Sequence, residues 1–211
     1  MSAMDSTSVQ AAYSRWAKVY DQTFGVLVAP ARRRAIELME LKPGDRAVEV
    51  GVGTGLSLSL IPEGCQLVGV DFSRPMLERA LTRLRSDAML RQAGLVEADG
   101  VCLPFADNTF DAALAPFVVS AAPDPVALLR DMLRVCRPGA RLVVVNHFSP
   151  RNPVLAKLER GASAVTSRLL GFHAEFPLEP LFEEAGIEID HIERAMTLGG
   201  WHAVTFTRRE S

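Results

Sequence analysis

Cysteine is scarce in this chain: Cys65, Cys102 and Cys136 are the only three, and no two form a C-x-x-C pair. An odd number at such spacing suits reduced thiols filling a core better than a disulfide framework or a structural zinc site. No apolar run approaches the roughly 20 residues that span a bilayer. The opening MSAMDSTSVQ has neither the basic nor the apolar stretch of a secretory signal, so a soluble or peripheral cytoplasmic protein is expected. Charge of one sign is lacking too. With 23 Lys and Arg against 25 Asp and Glu, the net charge of −2 excludes a globally basic nucleic-acid binder. Neither an internal repeat nor a metal-ligand cluster is apparent. What is plentiful is Val, Leu and Ala, and 211 residues suffice for one domain, 1–211, that buries roughly 70% of its unfolded surface.

The apolar runs are short and alternate with helix-patterned stretches. Strands are expected at 46–50, 66–71, 95–98, 111–115, 141–147, 187–194 and 201–208, and helices at 55–60, 75–85, 126–136 and 178–185. That alternation predicts an α/β fold, a Rossmann-like doubly wound seven-stranded sheet, mostly parallel. The 195–200 stretch is too short for a crossover helix, so the last two strands should pair antiparallel at the sheet edge. Lys42-Pro43-Gly44-Asp45 and Arg137-Pro138-Gly139 are turns that set off the first and fifth strands.

Two segments fall outside this core, which begins at residue 42. In the N-terminal part, 1–41, Val9, Tyr13, Trp16, Tyr20 and Phe24 recur at spacings of three and four with Arg15 and Lys18 off the stripe, the pattern of an amphipathic helix. Up to Arg34 this end holds five cations against two carboxylates, a net of +3. The second segment is an insert near 150–172.

The densest signal is Glu49-Val50-Gly51-Val52-Gly53-Thr54-Gly55, a strand emptying into spaced glycines. Glycine permits φ > 0 and lets backbone approach a ligand closely. Asp71 closes the second strand and Asp99 the third; an acid about 20 residues past such a loop is placed to accept ribose hydroxyls. The spacing alone does not separate NAD from S-adenosylmethionine. Leu56 stands where G-x-G-x-x-G needs its third glycine, and Glu49 would repel a pyrophosphate while tolerating a sulfonium or ammonium.

On these residues, together with Asp71-Phe72-Ser73, Met76-Leu77, Ala98-Asp99, the run from Leu103 to Asp111 and Arg137-Pro138-Gly139, the chain resembles the class I methyltransferases over nearly its whole length. The resemblance implies S-adenosylmethionine as cofactor, with S-adenosylhomocysteine as product. It implies that Gly51 and Gly53 pack under the methionine part, Asp71 holds the ribose, Phe72 and Met76 flank the adenine, and Asp99 faces its amine. Glu49, Gly55 and Gly100 complete the cofactor-binding candidates. Asp107 and Asp111 are read as caps of turns or strand ends.

The acceptor is a separate question, because class membership identifies only the donor. The Tyr13 to Gly25 run, Arg32-Arg33-Arg34, Pro123-Asp124-Pro125, Val145-Asn146-His147-Phe148, the Gly171 to Leu178 run and Leu198-Gly-Gly-Trp201 are similar to the Rhodobacter-type phospholipid N-methyltransferases. That likeness implies stepwise methylation of phosphatidylethanolamine toward phosphatidylcholine by an enzyme held peripherally on the inner face of an anionic membrane. Tyr13, Trp16 and Lys18 are then candidates for membrane contact, the stripe being equally suited to a cofactor lid. Arg33, or another member of its triplet, is the candidate for the lipid phosphate. His147 is the leading proton acceptor, with Tyr20, Asp21 and Asn146 as orienting groups. Two rivals stay open: a quinone-type or other small-molecule methyltransferase, and a catalytically silent S-adenosylmethionine-binding regulator.

Overall fold

The computed structural model describes residues 25–87, 93–148, 177–196 and 201–210. The N-terminal aromatic stripe and the insert near 150–172 lie outside them. In chain order the elements are α1 (Ala29–Leu38), β1 (Arg46–Val50), β2 (Gln66–Asp71), α2 (Arg74–Ser86), β3 (Ala93–Glu97), β4 (Phe110–Pro116), α3 (Pro125–Val135), β5 (Cys136–His147), α4 (Leu178–Ala185), β6 (His191–Arg194) and β7 (Trp201–Thr207). They build one seven-stranded sheet in the order β3-β2-β1-β4-β5-β7-β6. The pairs among β1 to β5 are parallel, and β7 runs antiparallel to both β5 and β6. This is the expected Rossmann-like sheet with its antiparallel pair at one edge. Within that pair β7 is the inner strand. Its Ala203, Val204 and Phe206 are fully buried, whereas the four residues of β6 are half-buried or exposed, so the longer apolar strand takes the interior.

Period-2 alternation deals each strand's side chains to two apolar layers. In β5, Leu142 and Val144 join the layer under α3 and α4, and Val143 and Val145 the layer under α1 and α2. Helix α3 shows how local chemistry sets an element. Asp124 caps it by accepting from the Ala127 N–H at 2.8 Å, Pro125 occupies the first turn, and Leu128, Leu129, Met132 and Val135 form the buried stripe. Helix α4 stops at Gly186 in the left-handed region, where the Ile187 N–H donates to the Phe182 carbonyl.

Three expectations need correction, the first being that β6 begins at His191 instead of residue 187. No α-helix spans 55–60; there is only a 3-10 turn at Leu58–Leu60. Gly51, Gly53 and Gly55 all hold positive φ (77°, 56° and 81°), and Pro62 forces Ile61 into extended backbone, so the segment is cut from both ends. Strand β5 starts at Cys136 instead of Arg141, because the turn at Arg137 to Gly139 is absorbed as an irregular strand start, with a register shift between Phe110 and Ala112. Asp111 acts as expected, at a strand end, whereas Asp107 serves as an ion-pair partner. Asp111 accepts from the Arg46 N–H (2.9 Å) and from Arg137 (2.6 Å), and Asp107 pairs with Arg134.

Candidate active site

Strand order reverses between β1 and β4, and in such sheets the crevice outside the strands' carboxyl ends takes the ligand. A cavity opens there. Its walls are Gly51 and Gly53 after β1; Asp71, Phe72, Ser73 and Met76 from the end of β2 into α2; Ala98 to Gly100 after β3; and Pro116 to Val118 with Ala121 to Pro123 after β4.

Close packing explains two of the glycines. A Cβ on Gly51 would stand 2.8 Å from Val118 carbons, and one on Gly100 would stand 2.7 Å from Val50 Cγ1. Gly53, at φ 56°, has open space where a Cβ would project. Gly55 does not line the cavity. Its Cβ position is taken by Leu58 (2.7 Å) and Ala80 (3.0 Å), so it seats the loop on α2.

Asp71 is buried at the centre of the cavity wall. Its Oδ2 accepts from the Gly53 N–H and its Oδ1 from the Ser73 N–H, each at 2.8 Å, tying the glycine loop to the start of α2. Burial raises its pKa, and the two backbone donors oppose the rise. Asp99 sits exposed at the rim, accepting from the Val101 N–H at 3.1 Å.

Glu49 lies beneath the loop, outside the cavity lining and only 1% exposed. Its Oε1 accepts from the Ser57 hydroxyl at 2.7 Å, and its Oε2 has no partner among the described residues. Burial pushes its pKa up to about 7; the Ser57 bond and the charge of Arg32 pull it down, and Asp71 adds to the rise. An orphaned carboxylate oxygen in a site with a second acid suits a ligand that brings positive charge, and a pyrophosphate would be repelled there.

On the α1 side of the sheet's carboxyl end stand four residues in contact. The Arg32 guanidinium lies 5.5 Å from the Phe117 ring centroid; Trp201 meets Phe117 edge-on at 5.4 Å; His147 meets Trp201 at 5.6 Å. Only Phe117 of these lines the cavity. His147 is thus separated from the lining residue Phe117 by the Trp201 ring, and burial holds its pKa below the usual histidine range, with His202 adding to the fall. Asn146 is fully buried, accepting from Ser120 at 3.2 Å and donating to the His147 carbonyl at 2.9 Å.

The basic triplet divides its labour. Arg32 is the buried member turned toward Phe117. Arg33 is exposed on a shallow separate groove with Glu37, Glu40 and Pro62, and Arg34 forks onto Glu193 at 2.6 and 3.0 Å. Tyr13, Trp16, Lys18, Tyr20 and Asp21 lie outside the described residues. Sequence reasoning overlooked Phe117 and Ser73 as cavity residues. A signal existed for Phe117, which follows the carboxyl end of β4 as Asp71 and Asp99 close or follow theirs.

Residues 48–144 match the family model described as a methyltransferase domain. The chain is 38% identical to the phosphatidylethanolamine N-methyltransferase of Cereibacter sphaeroides over 186 residues, covering 88% of this chain and 90% of that one. It belongs to the class I S-adenosylmethionine-dependent methyltransferases. Another relative in the class, the demethylmenaquinone methyltransferase of Corynebacterium kroppenstedtii, is also 38% identical, over 146 residues, 67% of this chain and 60% of that one. Among solved structures the fold is shared with a putative methyltransferase in complex with the Haloferax volcanii Trm112 activator (TM-score 0.77, 17% identity, 94% of this chain and 98% of that one). It is shared as well with a possible histamine N-methyltransferase of Thermotoga maritima (TM-score 0.68, 22% identity, 95% and 100%). The cofactor of this methyltransferase is S-adenosylmethionine, in keeping with the orphaned Glu49 oxygen and the absence of a third glycine at Leu56.

Proposed function

We propose that this methyltransferase acts on the amino headgroup of phosphatidylethanolamine and its mono- and dimethyl forms, working at the surface of an anionic membrane. The observation that carries this reading is the extent of the likeness: it spans nine tenths of the lipid enzyme but three fifths of the quinone enzyme of equal identity. No helix among the described residues is long and apolar enough to cross a membrane, so the lipid would be met at the surface, by the N-terminal stripe.

When bound, S-adenosylmethionine supplies an electrophilic methyl carbon on its sulfonium. In this reading Asp71 accepts the ribose hydroxyls, Phe72 and Met76 enclose the adenine, and Asp99 faces the adenine amine. Gly53 leaves room for the backbone to close on the cofactor, Gly51 and Gly100 let Val118 and Val50 pack tightly behind the cavity wall, and Glu49 balances the positive charge. The acceptor must present a neutral amine, so the protein aligns the nitrogen and takes its proton. Burial lowers the pKa of His147, and its ring lies behind Trp201 and Phe117, so a proton from the amine reaches it only by relay across that wall. Tyr20 and Asp21 orient the amine. Asn146, with both ends of its amide engaged, braces the end of β5. Arg32 replaces Arg33 as the candidate for the lipid phosphate, since it is the triplet member beside the cavity wall.

The matches to demethylmenaquinone methyltransferases support a second reading, C-methylation of a quinone precursor. Labelled donor with defined acceptors separates the two. Label in mono-, di- and trimethylated ethanolamine lipid from phosphatidylethanolamine vesicles is the expected result; label only in a quinone would overturn the lipid reading.

A further inference from the structure

Ser73 caps the N-terminus of α2 in extended backbone (φ −96°, ψ 99°), yet its side chain makes no capping bond, unlike Asp124 on α3. Its backbone is fully engaged. The carbonyl accepts from the Met76 and Leu77 N–H groups at 3.0 and 3.1 Å, and its own N–H holds Asp71 Oδ1. The hydroxyl is the part left over: Ser73 is 2% exposed, and its Oγ has no hydrogen-bond partner among the described residues. Ser73 belongs to the cavity wall. A buried hydroxyl without a partner is a standing cost, and alanine would serve the fold equally well in its place. The preferred use of a serine at this position, accepting from the next turn's N–H, has been given up, so the oxygen is spare for a ligand.

We propose that the Ser73 hydroxyl is a binding residue for the cofactor's ribose. The Ser73 N–H holds the Asp71 carboxylate, and both residues belong to the wall of the same cavity. A ribose hydroxyl that donates to Asp71 keeps its own lone pairs, and the Ser73 O–H donates to one of them. The two residues then read one hydroxyl from both sides, which a carboxylate alone cannot do because it only accepts. This inference rests on S-adenosylmethionine as cofactor and is independent of the acceptor.

The test is calorimetric titration of the full chain with S-adenosylhomocysteine and its 2′-deoxy and 3′-deoxy analogues, for wild type and Ser73→Ala. The expected result is an affinity loss of about tenfold for the parent ligand and less than twofold for one of the two analogues. Undiminished affinity in Ser73→Ala, as a resident water would produce, overturns the proposal; so does an equal loss for all three ligands, as an adenine contact would produce. Thermal unfolding of the ligand-free variant controls for damage to α2. If Ser73→Ala is unstable, Ser73→Thr keeps the hydroxyl, and retained preference for the parent ligand is then expected. Failure here leaves the lipid reading intact, whereas failure of the lipid reading appears as missing lipid product with ligand binding unchanged.

Discussion

The guanidinium of Arg32 stands over the ring of Phe117, and Phe117 holds that position with φ at 65°, a left-handed backbone that a bulky residue seldom adopts. Its N–H donates to the Val145 carbonyl at 2.6 Å, and Trp201 braces the ring edge. Strain of this kind costs on the order of 1–3 kcal/mol and persists where surrounding contacts impose it. Here the contacts place one aromatic face between the cofactor cavity and the Arg32 side of the sheet.

That strain predicts an inverted order of stability at position 117. Phe117→Gly should be more stable than Phe117→Ala by about 1 kcal/mol, because alanine still suffers the left-handed cost while glycine does not. Urea denaturation of both variants measures the difference, and alanine as the more stable variant would remove the strain. Both should lose at least tenfold in methyl transfer if the ring walls the acceptor side.

Glu49 predicts a pH dependence with a definite sign. Its folded pKa, pushed up by burial to about 7, lies above the ordinary glutamate value of 4.5, so the folded state binds the proton more tightly. The stability this contributes is fully present below pH 4.5, declines as pH rises, and is lost above about 7. Glu49→Gln should flatten that decline and raise stability at pH 8 by up to roughly 3 kcal/mol. The same variant should bind S-adenosylmethionine more weakly. In wild type, binding at pH 6 should release a proton, because a cationic ligand favours the carboxylate. Calorimetry in buffers of different ionisation enthalpy detects the release, and proton uptake would contradict the assignment.

The glycine loop separates packing from binding. Gly51→Ala drives a Cβ to 2.8 Å from Val118 at φ 77°, whereas Gly53→Ala meets only open space at φ 56°. Gly51→Ala should lose on the order of 2 kcal/mol or more, through overpacking added to strain. Gly53→Ala should lose about 1 kcal/mol from strain alone. It should nonetheless impair cofactor affinity at least tenfold, since its new methyl stands in the cavity wall. Melting temperature and calorimetric affinity, measured side by side, distinguish the two.

For the N-terminal stripe, Trp16→Ala combined with Lys18→Glu in the full chain should weaken sedimentation with anionic vesicles. A basic residue near such a surface contributes about 1 kcal/mol, and reversing its charge costs more than removing it. Equal sedimentation with wild type, at low salt, would leave the stripe a cofactor lid only.

Legibility varied with the range of the physics involved. Strands β1 and β2 and helix α4 were readable to the residue, because apolar alternation, a closing aspartate and a capping glycine are local signals. The 3-10 turn at Leu58–Leu60 was misread as a helix because three left-handed glycines and a proline act together on one short segment. The three adjacent arginines look alike in the sequence, and only helix α1 turns Arg32 toward the core while leaving Arg33 exposed.

Sequence alone determined the donor half of this methyltransferase: the glycine loop, the acids ending β2 and following β3, and the order of strands and helices that makes a crevice at their carboxyl ends. Each of these depends on residues close together in the chain, where spacing dictates geometry. Tertiary structure alone decided that Glu49 lies buried with an orphaned oxygen, that Gly55 is packing while Gly53 faces open space, and that Arg32, Phe117, Trp201 and His147 meet. Those contacts join segments up to 169 residues apart, from Arg32 to Trp201, and arise only when β7 takes its place beside β5 and helix α1 packs across the face of the finished sheet.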